Sequence, residues 1–486
     1  MSDPGLQQFL SRLGDAQAAL DAGFARLPAG PQPALDDRAA AILGEAARRM
    51  HQNDPYGHPL YAGQMLKPPH PIARAAYALA MSVNPNNHAL DGGRASSAME
   101  LEAIAALARM FGWAGSEEGP GYLGHLTSSG TFANLEALWV SGCTAREAGG
   151  QPARRDQFHT AAAIASSDQA HYTHARISAV LGLPHIAIPS DNSGRMDLDA
   201  LERALDTHQI GAVVVTLGTT AVGAVDPLDR ILALRERYQF RIHVDAAYGG
   251  YFTLAGNLAP EDRAAFDAIA HADSIVVDPH KHGLQPYGCG AILFRDPSVG
   301  RFYKHDSPYT YFTSKDLHLG EISLECSRAG ASAVALWATQ QLLPYAHGGQ
   351  FAQGLEAGRE AALGLHQRLA RDPRFALPSA PPALDILFFT PRAATPAESS
   401  ARALAIFDEA RRRDLYLALA TLPTRFFPRR TWPERPSPPT DAAGTVTCLR
   451  SVLMKPEHLA WLDEIHQRLD AAASAVLAAP SVVNAR

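Results

Sequence analysis

The sequence predicts an α/β protein whose large domain holds a mostly parallel central sheet and whose smaller C-terminal domain is α+β. Between about residues 120 and 300, short apolar runs alternate with helical patterns, as expected for the βα units of a parallel sheet. After about residue 345 the pattern changes to a long helix, separate strand candidates and a final helix. Because 486 residues suffice for two or three units, we expect an N-terminal helical segment at 1–90, a large domain at 91–345 and a small domain at 346–486.

Composition restricts the class of protein. The chain is 47% hydrophobic and 19% charged, which is typical of an ordinary soluble protein and not of a disordered or fibrous one. The net charge of -6 is mild and spread along the chain, which argues against nucleic acid and anionic membranes as partners. No apolar run is long enough to cross a bilayer, and the N-terminus has no basic segment followed by an apolar core.

The cysteines indicate the compartment. Cys143, Cys289, Cys326 and Cys448 are scattered and form no C-x-x-C pair. This favours reduced thiols over a disulfide framework or a metal site, so we expect a cytoplasmic protein without a metal.

The segment 1–90 combines helical patterns with proline-rich breaks. Residues up to about 50 are Ala-rich and helical, whereas prolines between His58 and Pro71 interrupt any helix. An Asn/Pro cluster at Asn84–His88 precedes a helix predicted from about Ser97 to Phe111. Such a cluster is usually a turn, and we keep His88 as a candidate substrate-pocket residue.

Six apolar runs in the large domain are strand candidates, and helical stretches separate most of them. They are Ala162–Ser166, His185–Ile188, Ala212–Thr216, Ile242–Asp245, Ile275–Asp278 and Ala291–Phe294. One intervening helix is predicted at Leu198–Thr207, with Asp197 as its N-cap. Ligands of open α/β sheets bind beyond the carboxyl ends of the strands. Because Asp245, Lys281 and the turn Leu217–Thr220 follow such ends, we expect one pocket to collect them.

The small domain begins with a helix predicted near Leu355–Arg371. Its strand candidates are Leu384–Phe389, Leu415–Ala420 and Val446–Leu453, followed by a final helix. The Pro/Arg-rich segment Pro423–Pro439 is predicted to be a loop.

The stretch Ser274–Gly283 carries a β-branched apolar run into a bend that holds Lys281 between two histidines. The run predicts a buried strand. A lysine held at a strand end away from water has a lowered pKa and becomes a nucleophilic amine suited to Schiff-base chemistry. A solvated loop lysine is the alternative.

Three further features suit a lysine of this kind. Thr127–Thr131 precedes the helical pattern Phe132–Val140, and its free N–H groups would bind a phosphate, with an ordinary N-cap as the alternative. Asp245 ends a strand and would pair with a cation, cap a helix or, less favourably, bind a metal. His171 follows another strand candidate and gains significance only if its ring lies over a planar ligand. Together with Lys281, these features describe a site for pyridoxal 5'-phosphate.

Four motifs occur in order: S-D-Q-A-H at 167–171, T-L-G-T-T at 216–220, H-V-D-A-A-Y at 243–248 and D-P-H-K at 278–281. With them the sequence resembles the group II pyridoxal-phosphate-dependent amino acid decarboxylases, which include aromatic-amino-acid, tyrosine, histidine and glutamate decarboxylases. The resemblance runs from about residue 55 to 345 and resumes at Cys448–Leu453. It implies the aspartate-aminotransferase-like fold, fold type I of the pyridoxal-phosphate enzymes.

Carried over position by position, the resemblance implies that Lys281 is the Schiff-base lysine and that Asp245 is the partner of the ring nitrogen. It implies that His171 and Ala247 pack on the two faces of the ring. The other implied cofactor-binding residues are Ser129, Gly130, Thr131, Thr220 and His280. Arg450 matches an arginine that binds the substrate carboxylate in glutamate-type members, with a surface arginine on a strand as the alternative.

The family also has a mobile loop between the lysine and Ser327–Gly330. A tyrosine on that loop protonates the substrate carbon, and loop closure keeps water out. In the stretch Asp306–Phe312, Tyr311 is our first choice for this catalytic residue and Tyr309 our second. The alternative is that both tyrosines only pack the loop.

One position departs from part of the family. Several animal members have an asparagine that contacts the phosphate where this chain has Asp278. Because a carboxylate would repel phosphate, we expect Asp278 to hold a neighbouring donor instead. The order Asp-Pro-His-Lys-x-Gly is closer to archaeal tyrosine/aspartate decarboxylases and, more distantly, to sphingosine-phosphate lyase.

The implied reaction is α-decarboxylation of an L-amino acid, aromatic first and acidic next, through a Schiff base on Lys281 and a quinonoid intermediate. The resemblance also implies a homodimer with its sites at the interface. One alternative keeps the cofactor and changes the chemistry, to a carbon–carbon lyase or a decarboxylation-dependent oxidative deaminase. Another is a cofactor-less binding or scaffold protein, which the retained Lys281 and Asp245 disfavour.

Overall fold

The computed structural model describes residues 4–28, 30, 35–88, 90–113, 115, 121–148, 162–304, 323–434 and 444–478. The helices in this part of the chain are α1 Pro4–Gly23, α2 Asp37–Met50, α3 Pro71–Met81, α4 Arg94–Met110, α5 Gly130–Ala148, α6 Thr173–Leu181, α7 Leu198–Thr207, α8 Leu228–Tyr238, α9 Pro260–Asp267, α10 Gly330–Leu342, α11 Gln350–Ala370, α12 Pro396–Arg412 and α13 Leu462–Leu477. The strands are β1 Leu123–Thr127, β2 Ala163–Ser167, β3 His185–Ile188, β4 Ile210–Thr216, β5 Arg241–Asp245, β6 Ser274–Val277, β7 Gly290–Phe294, β8 Phe375–Ala376, β9 Ile386–Pro391, β10 Ala418–Pro423 and β11 Thr445–Val452.

The larger sheet has the strand order β1-β7-β6-β5-β4-β2-β3. Its pairs β2–β3, β2–β4, β4–β5 and β5–β6 are parallel, whereas β7 runs antiparallel to both of its neighbours. The central strands are buried on both faces, as parallel strands covered by helices must be. The predicted α/β fold with a mostly parallel sheet is therefore confirmed.

The elements of this sheet follow the sequence prediction closely. All six predicted strands are present, with no end displaced by more than two residues. Helix α7 has the predicted bounds and N-cap, with Asp197 accepting a hydrogen bond from Ala200 N at 2.8 Å. The prediction missed β1, because its sequence L-G-H-L-T is broken by a glycine and a histidine. His125 is nevertheless fully buried, since its Nε2 lies 2.8 Å from a carboxylate oxygen of the equally buried Glu136.

The smaller sheet is antiparallel, with the order β10-β11-β9-β8. The strand predicted at Leu415–Ala420 starts three residues too early. Tyr416 pairs instead with the N-terminal segment, where its N–H donates to Leu60 O at 3.0 Å and its carbonyl accepts from Ala62 N at 2.8 Å. These bonds join the N-terminal residues to the small sheet. The three-part division of the chain stays a prediction.

A buried ion pair ties α4 to the larger sheet. The carboxylate of Glu100 accepts hydrogen bonds from Arg328 Nη1 at 2.5 Å and Asn87 Nδ2 at 2.6 Å, and also from Leu126 N at 3.0 Å. Arg328 Nη1 donates in addition to Leu126 O at 2.9 Å. Because these donors and acceptors are almost completely enclosed, removing one charge would leave the other uncompensated.

Among the described helices, none is both long and apolar enough to cross a lipid bilayer.

We expect Glu100→Gln to lower the free energy of unfolding by about 3 kcal/mol, because it leaves the Arg328 guanidinium buried without its counter-charge. Denaturant unfolding followed by circular dichroism measures the change. Glu102→Gln is the matched control: Glu102 lies two residues on in the same helix, is exposed, and should change stability by less than about 0.5 kcal/mol. Equal effects of the two substitutions would contradict the assignment.

Candidate active site

A narrow cavity of about 160 Å³ lies beyond the carboxyl ends of β4, β5 and β6. All nine predicted cofactor-binding residues line it: Ser129, Gly130, Thr131, His171, Thr220, Asp245, Ala247, His280 and Lys281. The lining also includes six residues to which the sequence analysis gave no cofactor-binding role: Asn134, Thr173, Thr216, Gly218, Tyr248 and Asp278. Side chains from separate strands meet here because parallel strands end at the same edge of the sheet.

Lys281 lies in the turn that follows β6. Its backbone N–H donates to Asp278 O at 2.9 Å, which bends the chain and returns the side chain toward the cavity. The ammonium Nζ is 3.0 Å from Asp278 Oδ2, and the lysine side chain is 23% exposed. The neighbouring donor held by Asp278 is therefore Lys281.

Asp278 also packs against the start of α5. A Cβ on Gly130 would lie 2.6 Å from both carboxylate oxygens of Asp278, so only glycine fits at this position. The Oδ1 atom of Asp278 is buried and has no hydrogen-bond partner within the described residues. The carboxylate thus lies between the lysine and the helix N-terminus that was predicted to bind phosphate.

Asp245 is the second buried carboxylate of the cavity. Its Oδ2 lies 2.8 Å from His174 Nε2, and its Oδ1 accepts a hydrogen bond from Ala247 N at 3.1 Å. Burial alone would raise the pKa of Asp245, but the hydrogen bond with His174 and the charge of Lys281 bring that pKa well below its usual range. The carboxylate is therefore ionised at neutral pH.

A chain of neutral polar groups lies behind Asp245. In His243, Nδ1 is 2.9 Å from Ser274 Oγ and Nε2 is 2.8 Å from Asn134 Oδ1, so Nε2 carries the proton and donates to Asn134. Burial lowers the pKa of His243 to about 3, which keeps this ring neutral. The sequence offered a weak signal for His174, three residues after His171, and a similar one for Asn134, one helical turn into α5.

Two histidines, His171 and His280, line the cavity itself. His171 accepts a hydrogen bond from Thr173 N at 3.3 Å through Nδ1, and burial lowers its pKa, so its ring is mostly neutral. His280 Nδ1 donates to Cys289 O at 2.7 Å, and its Nε2 lies 3.6 Å from Asp278 Oδ2.

The predicted substrate-binding residues lie outside this lining. Arg450 is buried, and its guanidinium donates to Thr220 O at 2.6 Å and to Ala221 O at 3.0 Å. It therefore holds the turn that carries Thr220. His88 is also away from the cavity lining, and its backbone N–H donates to Asn86 Oδ1 at 3.0 Å. Tyr309 and Tyr311 fall outside the described residues.

A model of the pyridoxal-dependent decarboxylase conserved domain matches residues 34–390. The chain belongs to this family. The predicted family is thereby confirmed, and the cofactor is pyridoxal 5'-phosphate.

Curated relatives in this decarboxylase family include the L-tyrosine decarboxylase of Enterococcus faecium, which is 29% identical, with 64% of each chain covered. The L-2,4-diaminobutyrate decarboxylase of Acinetobacter baumannii is also 29% identical, with 63% of this chain and 62% of the relative covered. The chain thus spans slightly less than two thirds of the length of these relatives. Among solved structures, Oryza sativa TDC with PLP and tryptamine superposes with a TM-score of 0.74 at 18% identity, covering 97% of this chain and 99% of the other. This likeness confirms the predicted fold type I.

The residues of the cavity fit the family's cofactor. Asp245 offers an ionised carboxylate for a protonated ring nitrogen, and the N-terminus of α5 offers a positive dipole end for a phosphate. Thr216 Oγ1 and Asp278 Oδ1 are buried without hydrogen-bond partners among the described residues. Buried polar atoms of this kind are normally satisfied, and a bound polar ligand would supply the missing partners.

We expect His174→Leu to narrow the pH range over which the holoenzyme of this decarboxylase-family chain keeps its cofactor. The pKa of Asp245 is lower in the folded protein than in the unfolded chain. The stabilising interactions of this carboxylate are therefore fully present above the unfolded pKa and are lost as pH falls through the folded pKa. Without the His174 donor, burial raises this pKa, and the acid limb should move up by about one pH unit or more.

The visible absorbance of the bound cofactor, recorded while the pH is lowered, measures the pH at which the cofactor is lost. His185→Leu is the matched control, because His185 bonds to Ser166 Oγ at 2.9 Å and does not line the cavity. Identical acid limbs for wild type and His174→Leu would refute the role given to His174.

Proposed function

We propose that the protein is a pyridoxal-phosphate-dependent α-decarboxylase that converts an L-amino acid to its amine and carbon dioxide. One juxtaposition carries the proposal: the Lys281 amine and the ionised Asp245 carboxylate line the same cavity as the N-terminus of α5. Decarboxylases named among the relatives support the same reaction class.

The side chains of the chain prepare this site. Asp278 Oδ2, 3.0 Å from Lys281 Nζ, holds the amino group of this lysine at the cavity. Asp245 keeps a negative charge in the cavity, with its orientation fixed by His174 and by Ala247 N. When bound, the cofactor supplies a protonated, electron-withdrawing ring that accepts the electron pair left by carbon dioxide.

Two further roles complete the proposal. His171 and Ala247 would hold the two faces of the flat ring, and the mostly neutral state of His171 suits such a packing role. For the group that protonates the substrate carbon, we keep Tyr311 as first choice and Tyr309 as second.

We propose an aromatic L-amino acid as substrate, with an acidic one second. The guanidinium of Arg450 is occupied by the carbonyls of Thr220 and Ala221, which supports a structural role for it over binding of a side-chain carboxylate. Similarity to L-tyrosine decarboxylases supports the aromatic choice.

We further propose a cytoplasmic homodimer with its active sites at the interface. Within the described residues, α1 and α2 bury no side chain in their own chain. They expose the large apolar residues Leu6, Leu10, Ile42, Leu43 and Met50. Apolar surface of this kind supports contact with a second copy.

The test is a panel of L-amino acids incubated with the holoenzyme, with carbon dioxide and organic products both measured. We expect amine and carbon dioxide in equal amounts, with L-tyrosine or L-tryptophan turned over faster than L-aspartate, L-glutamate or L-2,4-diaminobutyrate. Lys281→Ala should reduce release to background because the amine is lost, whereas Lys304→Ala, an exposed lysine, should retain activity.

Borohydride reduction of the native holoenzyme should fix the cofactor to position 281, as read by peptide mass spectrometry. A tag on another lysine would overturn the assignment of Lys281. An aldehyde as the main product would instead indicate the oxidative deaminase or carbon–carbon lyase chemistry of the alternatives.

We expect Tyr311→Phe to keep cofactor absorbance but to slow amine formation by about a hundredfold or more, because a positioned proton donor contributes on that scale. Steady-state amine release measures the effect, and Tyr309→Phe is the matched control. Normal amine output from Tyr311→Phe would move the role to Tyr309 or elsewhere.

A further inference from the structure

A second cavity, of about 490 Å³, lies between the N-terminal segment at 57–71, the start of α11 and the turn after β11. Among the residues that the structure describes, none lines both this cavity and the cofactor cavity. Much of its wall is apolar and comes from Pro68, Pro69, Leu284, Leu343, Phe351 and Leu355. We call it the lysine cavity, because Lys67 and Lys455 both line it.

Lysine is rare in this chain, which makes the placement of these two informative. The sequence has only five lysines, at 67, 281, 304, 315 and 455, so that arginine provides 38 of the 43 basic residues. Exposed ion pairs among the described residues are formed almost entirely by arginine. Lysine is a compact cation whose pKa shifts readily on burial, whereas arginine remains charged.

The two lysines of the cavity have few partners. Lys67 Nζ donates to Met454 O at 3.1 Å, and Lys455 Nζ donates to Tyr61 O at 2.6 Å. An ammonium has three N–H donors, so each lysine uses one of its three in these bonds. Neither lysine forms an ion pair with a carboxylate in the described part of the chain, and Lys455 is almost completely buried.

Among the described residues, the other titratable groups around the cavity offset the effect of burial on the two lysines only in part. Burial lowers the pKa of Lys67 to about 8 and, together with the charge of Lys67, that of Lys455 to about 7. The remaining titratable groups of the wall are His70, His282 and Glu457, with Asp385 behind His282. Burial keeps both histidines neutral, and Glu457 is exposed. Asp385 Oδ2 lies 3.3 Å from His282 Nε2, and Asp385 Oδ1 accepts a hydrogen bond from Tyr248.

We propose that the lysine cavity binds a small organic carboxylate, with the two lysines as its cationic partners and the prolines and leucines against its apolar part. Charge-assisted hydrogen bonds from ammonium to carboxylate are about twice as strong as neutral ones and would replace the hydration that the buried Lys455 lacks. The apolar wall favours an organic anion, because a hydrated inorganic anion would leave that wall in contact with water.

A chain of contacting side chains links the wall of the lysine cavity to that of the cofactor cavity. His282 directly follows Lys281 in sequence and lines the lysine cavity. Its Nε2 lies 3.3 Å from Asp385 Oδ2, and Asp385 Oδ1 accepts a hydrogen bond of 2.6 Å from Tyr248, which lines the cofactor cavity. A carboxylate bound beside His282 would therefore act on the same buried aspartate that orients Tyr248.

Isothermal titration of cofactor-saturated full-length protein with butyrate tests the proposal, with inorganic phosphate as the comparison anion. We expect one butyrate per chain and, at pH 8, net proton uptake that appears as a dependence of the binding heat on the buffer, because the bound anion raises both lysine pKa values. Lys67→Met should weaken binding by about tenfold or more. The control Lys304→Met should leave it unchanged, since Lys304 is an exposed lysine remote from the lining.

Equal butyrate affinity in wild type and Lys67→Met, or an absence of binding, would overturn the proposal. Phosphate binding as tightly as butyrate would overturn the organic assignment. A measurement on the wild type avoids any folding defect: limited acetylation with acetic anhydride, mapped by mass spectrometry, should show butyrate protecting Lys67 and Lys455 but not Lys304. Uniform modification with and without butyrate would also refute the site, and neither readout depends on decarboxylase activity.

Discussion

The structure depends on keeping the carboxylate of Asp245 ionised inside the protein. An isolated buried carboxylate takes up a proton, because desolvation penalises its charged form. Here the last residue of β5 receives hydrogen bonds from His174 and from Ala247 N, and a lysine charge lies across the cavity. The neutral His243 behind it adds a fixed dipole without a competing charge. The negative end of the cavity is therefore set before any ligand arrives.

Around Asp278, the cavity is organised by close packing. Asp278 approaches the first residue of α5 so closely that a side chain on Gly130 would collide with it. The same carboxylate holds the ammonium of Lys281 at 3.0 Å. Steric fit and charge therefore act through one residue, which couples the position of the lysine to the position of the helix N-terminus.

Sequence periodicity predicted most of the sheet, and the nine positions predicted to bind the cofactor all line one cavity. Parallel strands buried on both faces are near-continuous apolar runs, so their positions are visible in the sequence. The strand β1 was missed because His125 interrupts its apolar pattern, and its burial depends on Glu136, a partner in α5 that no local pattern reveals. His174 and Asn134 were missed for the same reason: their importance comes from contacts between distant segments. The occupation of Arg450 by backbone carbonyls could not be foreseen from its place on a strand.

The pairing of the N-terminal segment with the small sheet has a consequence for engineering the chain. Leu60 O accepts from Tyr416 N, Ala62 N donates to Tyr416 O, and Ala62 O accepts from Val452 N at 2.8 Å. Three backbone bonds thus bind two residues of this segment to Tyr416, just before β10, and to Val452, the last residue of β11. Fusion partners and affinity tags are best attached before residue 60. A circular permutation that cuts the chain near residues 60–62 would expose a sheet edge and promote aggregation.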